Sequence, residues 1–204
     1  MDNLQWDTML PWINFGVMVI SSILMFILYL LSSRPGQLEK KIGKAAYPRC
    51  GRYRMIASLF ELIVIGTYVV YSYYPLPFGL PEKFPWDYWI SIVLALVIGI
   101  PSGYLMLRGV LDAGEDSMLP KKNGKLFGGI YKKIRHPQAM GELPIWWSLS
   151  LFLNSPFLAL YSLIWIPLFV AMALYEEIDL EIRFGEKYKT YKANTGFIIP
   201  KKSP

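Results

Sequence analysis

The sequence predicts an all-α integral membrane protein: a polytopic helical bundle of about five transmembrane helices, with an interfacial helix near the C-terminus. Three observations predict this class. Apolar residues make up 54% of the 204 residues. They are gathered into long runs without charge, and nearly all basic residues fall between those runs. A soluble helical bundle would show helices with one apolar stripe and one polar face, whereas these runs have no polar face.

Four apolar runs account for the predicted spans. A membrane crossing needs about 20 predominantly apolar residues. Three runs each fit one crossing: Thr8–Ser33 and Tyr88–Leu107 hold no charged residue, and Met55–Tyr74 holds only Glu61. The fourth run, Leu143–Tyr175, is uncharged over 33 residues and is too long for a single crossing.

A turn signal divides the fourth run. The sequence Asn154-Ser155-Pro156 combines residue types that favour turns. We therefore predict a tight helical hairpin, with Pro137–Leu153 as the outgoing helix and Phe157–Tyr175 as the returning helix. These helices complete the expected count of five.

The chain is expected to form a single membrane domain over residues 1–204. Residues 1–111 would form a three-span part, and residues 112–204 would hold a cofactor-binding loop, the hairpin and the C-terminal segment. That last segment begins acidic and ends basic, an order that suits a helix dipole. Its large apolar residues recur at helical spacing, which predicts an amphipathic helix on the membrane surface, bent or broken at Gly185. These residues are Leu180, Phe184, Tyr188 and Tyr191.

The basic residues predict the orientation of the chain in the membrane. Twenty of the 21 lie in three segments that five spans would place on one side: Arg34–Arg54, Arg108–Arg135 and the tail after Tyr175. Only Lys83 lies on the other side. The positive-inside rule then predicts an outside N-terminus and a cytoplasmic C-terminus. Topology and contact with anionic membrane lipids explain the net charge of +6, which therefore does not indicate nucleic-acid binding.

Composition also argues against two kinds of cofactor site. The chain has one histidine, His136, and one cysteine, Cys50. This leaves no cluster of ligands for a zinc ion and no intramolecular disulfide. No Gly-x-Gly-x-x-Gly motif follows a strand, as a Rossmann nucleotide site requires. We therefore expect neither a metal ion nor a Rossmann domain.

Residues capable of chemistry flank the predicted hairpin. Arg135-His136-Pro137 directly precedes it, and Glu176-Glu177 directly follows it. Because a hairpin returns the chain to the side that it left, the two groups should meet at the cytoplasmic face. A cation, an imidazole and two carboxylates would then lie where a charged soluble cofactor meets a lipid-borne substrate. On its own, His136 is equally consistent with an interfacial anchor.

Two carboxylates fall inside the predicted spans. Glu61 lies in the second span and Glu142 near the start of the fourth. An acidic residue in the membrane is costly and is a functional hypothesis by default. The alternative is that either side chain reaches the interface or pairs with an arginine there, such as Arg54 or Arg135.

The joint pattern resembles the isoprenylcysteine carboxyl methyltransferase family, whose broad group includes enzymes that methylate phospholipid amines. The resemblance rests on GIYKKIRHPQAMG, the helical hairpin, EEIDLEIRFGEKYKTY and the late Pro200. It covers residues 123–200. It implies S-adenosyl-L-methionine as the cofactor, held without a Rossmann domain, and a lipophilic acceptor that arrives from the bilayer.

The resemblance also implies which residues form the site. Arg135 and His136 would belong to the catalytic site, to which we add Glu142 as an acid–base candidate. The implied cofactor-binding residues are Asn123, Gly124, Lys125, Leu126, Tyr131, His136, Pro137, Gln138, Ala139, Glu176 and Glu177.

Two positions depart from the family pattern. The tyrosine that follows Arg-His-Pro-x in the family is Ala139 here, and an arginine that family members use for substrate is Met172. Without that arginine the pattern favours an amine, a hydroxyl or a thiol over a carboxylate as methyl acceptor. Glu142 would orient or deprotonate such an acceptor.

Other functions fit parts of the pattern. NADPH-dependent membrane reductases of the sterol and steroid type also carry an Arg-His-Pro-like motif followed by Gly-Glu and aromatic residues, here Gly141-Glu142 and Trp146-Trp147. The downstream Glu-Glu and Phe-Gly-x-x-Tyr-x-x-Tyr favour a methyltransferase. A non-catalytic membrane scaffold or a transporter is the third possibility, and five spans without repeat symmetry speak against transport.

Overall fold

The computed structural model describes residues 2–77, 79–122 and 128–201, with side chains from residue 8 onward. Within these ranges the chain is helical, and its only strand-like feature is an isolated bridge between Ile134 and Gly196. The predicted all-α membrane bundle is confirmed. The helices are α1 (Asp2–Ser32), α2 (Pro35–Ile42), α3 (Ala46–Tyr73), α4 (Tyr88–Ala113), α5 (Pro137–Phe152), α6 (Pro156–Tyr161), α7 (Trp165–Phe184) and α8 (Glu186–Asn194).

Four helical stretches in the described part are long and apolar enough to cross a membrane: Thr8–Ser32, Pro35–Tyr73, Tyr88–Ser117 and Pro156–Phe184. The outgoing arm of the predicted hairpin, α5, is shorter, at 16 residues. At 1.5 Å per residue it rises about 24 Å, which falls short of the roughly 30 Å of hydrocarbon. The bundle therefore contains four long membrane helices and one shorter helix, α5, which packs along α4.

The predicted hairpin turn is confirmed at Asn154. This residue has a φ of 53°, a left-handed conformation that asparagine tolerates better than most residues. The hydroxyl of Ser155 then caps α6 by accepting a hydrogen bond from the backbone N–H of Leu158 at 3.4 Å. The returning arm is not one uniform helix, because a 3₁₀ turn at Ser162–Ile164 separates α6 from α7.

The end of the returning arm differs from the prediction. The sequence suggested a span ending at Tyr175, followed by a separate surface segment. Instead α7 continues to the residue before Gly185, because no glycine or proline interrupts residues 168–184. Glu176 and Glu177 therefore lie in a rigid membrane helix. The predicted break at Gly185 is confirmed by its φ of 54°.

An aromatic cluster joins α3, α5 and α7 in the bundle core. The rings of Trp146 and Trp165 are stacked with centroids 4.5 Å apart. The indole N–H of Trp165 donates a hydrogen bond to the hydroxyl of Tyr68 at 3.1 Å, and that hydroxyl lies 3.2 Å from Ser162 Oγ. Hydrogen bonds between membrane helices each contribute about 0.6 kcal/mol, so this network fixes the relative positions of the three helices that hold the site.

Small residues allow α4 and α5 to approach closely. Ser148 of α5 donates a hydrogen bond to the carbonyl of Ala95 in α4 at 2.7 Å. A Cβ atom added at Gly141 would overlap the backbone of Met106 and would lie 2.6 Å from the carbonyl oxygen of Ser102. Only glycine fits at that point, as in other close contacts between membrane helices.

We expect Gly141→Ala to lower the free energy of unfolding by about 1–3 kcal/mol, the usual cost of overpacking. The added methyl group meets backbone atoms of α4, which cannot rotate away as a side chain can. Unfolding in mixed micelles measures the loss. Gly103→Ala is the matched control, because a Cβ there meets no atom within 4 Å. Equal stability of the two variants would contradict the close contact.

Candidate functional site

A cavity of about 200 Å³ lies between α1, α3, α4, α5, α7 and α8. It brings together residues that are more than 100 positions apart in the sequence, such as Tyr29 and Tyr188. The sequence-predicted site residues that line it are Tyr131, Arg135, His136, Gln138, Ala139, Glu142 and Glu176.

The remaining predicted site residues lie elsewhere. Pro137 is buried at the start of α5 and does not line the cavity. Glu177 lies behind the cavity wall, fully buried. The four predicted cofactor-binding residues of the loop, Asn123, Gly124, Lys125 and Leu126, lie outside the described residues.

Glu177 is the centre of a buried ion cluster. Its Oε1 accepts hydrogen bonds from Arg135 Nε at 2.7 Å and from His136 Nε2 at 3.0 Å, and its Oε2 lies 3.0 Å from the ammonium of Lys192. Two carboxylates, those of Glu181 and Glu177, raise the pKa of Lys192, which therefore stays charged. The carboxylate of Glu177 therefore orients Arg135 and His136, which line the cavity, but it does not face the cavity itself.

The C-terminal residues complete this cluster. The guanidinium of Arg135 donates to the carbonyl oxygens of Lys192, at 3.1 Å, and of Thr195, and it lies over the ring of Phe197. The backbone N–H of Arg135 donates to the carbonyl of Gly196 at 2.8 Å. The chain after α8 therefore holds the Arg-His-Pro segment in place from behind.

A second arginine reaches the cavity from α3. The guanidinium of Arg54 lies 3.7 Å from the carboxylate of Glu176 and 5.3 Å from the ring centroid of Tyr29. It also donates to the carbonyl of Ser117 at 2.9 Å and to the hydroxyl of Ser32 at 3.3 Å. Sequence reasoning treated Arg54 as a topology residue and as a possible partner of Glu61 or Glu142, and did not place it beside Glu176. Its place directly before an apolar span was the one signal that it could enter the bundle.

Beyond Arg54 the cavity extends along α3, where apolar side chains and two carboxyl groups line it. Glu61 lies two helical turns beyond Arg54 along α3, about 10 Å deeper at 1.5 Å per residue. Its carboxyl group lies within hydrogen-bonding reach of that of Glu142. Three methionine side chains and one phenylalanine surround this depth: Met25, Met106, Met172 and Phe169.

The two membrane carboxylates therefore do not pair with arginine. Arg54 binds Glu176 and Arg135 binds Glu177. Among the described residues, neither Glu61 nor Glu142 forms an ion pair with a basic side chain. The alternative that they are neutralised by an interfacial arginine is wrong, because the arginines are already bound to other carboxylates.

Three tyrosines form the wall nearest the C-terminal segment. Burial raises the pKa values of Tyr131, Tyr188 and Tyr191 above their usual range, so all three phenols stay protonated at neutral pH. Tyr191 donates to the carbonyl of Tyr131 at 2.7 Å, and Tyr131 donates to the carbonyl of Gly109 at 3.3 Å. These phenols position the 3₁₀ turn before Arg135 and cannot act as bases.

The described residues contain no group of three His, Cys, Asp or Glu side chains placed to hold a metal ion. The single cysteine, Cys50, is buried, and its thiol points to the carbonyl of Leu31 at 3.6 Å. The chemistry available to the cavity is thus that of carboxylates, guanidinium groups, one imidazole and phenols.

The chain is similar to the methanethiol S-methyltransferase of Pseudomonas deceptionensis, with 33% identity over 117 residues. These residues make up 55% of this chain, and the chain spans 43% of the length of that relative. No family model matches the chain, and no solved structure matches it. The similarity relates the chain to a methyltransferase.

Proposed function

We propose that the protein is an integral membrane methyltransferase that uses S-adenosyl-L-methionine and methylates an apolar acceptor. The observation that carries this proposal is that one cavity holds both the ion pair of Arg54 and Glu176 and apolar side chains of the membrane helices. The similarity to a methyltransferase supports it. Because the match covers only 43% of the relative's length, ligand binding is used to test the activity of this chain.

The charges of the cavity fit this cofactor. An amino acid group carries one ammonium and one carboxylate, and the cavity places the carboxylate of Glu176 beside the guanidinium of Arg54, 3.7 Å apart. Glu176 keeps 22% of its side-chain surface exposed, so it can accept hydrogen bonds from an ammonium. Tyr29 and Phe169 add aromatic faces, which attract cations. When bound, the cofactor supplies a methyl group on a positively charged sulfur.

The protein residues would align the reactants and exclude water. Arg135 and His136, held by Glu177, would form one wall of the cofactor site, with Gln138 and Tyr131 beside them. Ala139 leaves space where the family pattern has a tyrosine. The family resemblance implies that the loop residues 123–126, which lie outside the described residues, also contact the cofactor.

Two features support an apolar, uncharged acceptor. The deep part of the cavity presents Met172 where the family pattern has an arginine, so no cation is offered to an acceptor carboxylate at that position. The name of the relative describes a sulfur acceptor. We propose that the cofactor arrives from the cytoplasm, on the side that carries twenty of the 21 basic residues, and that the acceptor arrives from the bilayer.

Ligand binding separates methyl transfer from the NADPH-reductase alternative, which gains no support from the relative. We expect the purified protein to bind S-adenosylhomocysteine, measured by calorimetry, and to give no heat with NADPH. The physical reason is that each of the two cavity arginines lies against a glutamate carboxylate, whose negative charge repels a phosphate but attracts the ammonium of an amino acid group. Tight NADPH binding without S-adenosylhomocysteine binding would overturn the proposed function.

A further inference from the structure

The carboxyl groups of Glu61 and Glu142 form a pair that the cofactor site does not need. They meet from α3 and α5, and both line the deep part of the cavity. A membrane protein pays for each intramembrane carboxylate, and two in contact are costlier still. This placement indicates a function for the pair itself.

The surroundings of the pair offer it no positive charge. The titratable groups that face it are Tyr29 from α1, and, nearer the cytoplasm, Arg54 and Glu176. The guanidinium of Arg54 is bound to Glu176. The two carboxyl groups are therefore stabilised by their contact with each other and not by a cation.

A hydrogen bond between two carboxyl groups requires at least one proton, because two carboxylates in contact repel each other strongly when both are ionised. With one proton the pair carries a single negative charge and can accept one more proton. Glu142 is the more suitable member to receive it, because α5 also carries Gln138 and Ala139 of the proposed cofactor wall.

We propose that the Glu61–Glu142 pair takes the proton of a neutral thiol acceptor during methyl transfer. This inference rests on the proposed function and names its substrate class. The bond between the acceptor sulfur and its hydrogen breaks, and the proton moves to the pair. The bond that forms joins the acceptor sulfur to the methyl carbon, and the bond between that carbon and the cofactor sulfur breaks, with its electron pair kept by the cofactor sulfur.

Charge balance favours a neutral acceptor that carries its own proton, and the name of the relative favours a thiol among such acceptors. A singly negative pair and a positively charged methyl donor sum to zero, and a neutral thiol leaves that sum unchanged before and after transfer. A carboxylate acceptor would add a second negative charge to an apolar space, where Met172 offers no counter-ion. The pair therefore suits an acceptor that brings its own proton.

One glutamine variant and two thiols test the proton transfer by its dependence on acceptor acidity. We expect Glu142→Gln to methylate an alkanethiol at least about a hundredfold more slowly at neutral pH, as for loss of a general base. Its rate should rise with pH as the thiol ionises in solution, and its loss should be smaller for an aromatic thiol of lower pKa. A loss that is equal for both thiols and does not change with pH would show a merely structural role and overturn the proposal.

Ligand affinity tests the charge of the pair without turnover. Sinefungin carries a positive amine where S-adenosylhomocysteine carries a neutral sulfur. We expect the wild-type protein to prefer sinefungin at least about tenfold and the double variant Glu61→Gln/Glu142→Gln to lose that preference while still binding S-adenosylhomocysteine. An unchanged preference in the double variant would overturn the proposal, because the negative charge would then lie elsewhere.

The outcomes also distinguish this inference from the proposed function. Glu186→Gln, an exposed residue of α8, is the matched control and should behave as wild type in both measurements. A wild-type protein that binds S-adenosylhomocysteine but methylates no thiol would overturn the thiol inference and leave the proposed function standing. Failure of the wild-type protein to bind S-adenosylhomocysteine would overturn the proposed function.

Discussion

Replacing Glu177 with alanine should lower the free energy of unfolding by about 3–5 kcal/mol, the usual cost of removing one partner of a buried ion pair. The change would leave Arg135, His136 and Lys192 without the carboxylate that each of them contacts within 3.0 Å. The side chain of Glu177 is almost fully buried, so water cannot replace it. Unfolding in mixed micelles, followed by circular dichroism, measures the effect.

Glu181→Ala is the control for this prediction. Glu181 lies one turn further along α7 and contacts the same Lys192, but its side chain is 35% exposed. An exposed pair contributes about 0–1 kcal/mol, so this variant should unfold almost as the wild type does. Similar stability of Glu177→Ala and Glu181→Ala would mean that the buried cluster does not hold the Arg-His-Pro segment.

The adjacent glutamate should affect binding rather than folding. We expect Glu176→Ala to weaken S-adenosylhomocysteine binding by about a hundredfold, since loss of one partner from a charged contact in a largely buried site costs about 2–5 kcal/mol. Its stability should change little, because Arg54 keeps its hydrogen bonds to Ser117 and Ser32. Calorimetry on the folded variant measures the affinity. Wild-type affinity in Glu176→Ala would remove this residue from the proposed cofactor site.

The two glutamates illustrate what the sequence could predict. The charge-free runs and the turn at Asn154 were sufficient to bring Glu176-Glu177 next to Arg135-His136, because a hairpin must return the chain to the same side. The sequence could not separate the roles of the two glutamates. On a helix, neighbouring residues point about 100° apart, so one faces the cavity and the other faces the C-terminal segment. Which one does so depends on the rotation of α7 in the bundle.

The partners of the membrane carboxylates were also beyond sequence reasoning. Glu61 and Glu142 are 81 positions apart, and their contact depends on how α3 and α5 are aligned along their axes. The sequence suggested arginine partners because Arg54 and Arg135 are close to them along the chain. In the folded protein those arginines belong to other carboxylates, since helix packing and not distance along the chain decides which charges meet.

The hydrogen bonds from Arg135 to the carbonyl oxygens of Lys192 and Thr195 determine when the site can form during synthesis. The chain is synthesised from its N-terminus, so Arg135 enters the membrane boundary long before Lys192 and Thr195 exist to accept its hydrogen bonds. Glu177, too, is added later. The Arg-His-Pro segment can therefore reach its final position only after residues 192–195 have been made. A chain that stopped short of Thr195 would hold the four long membrane helices of the described residues and still lack the contacts that keep Arg135 in place.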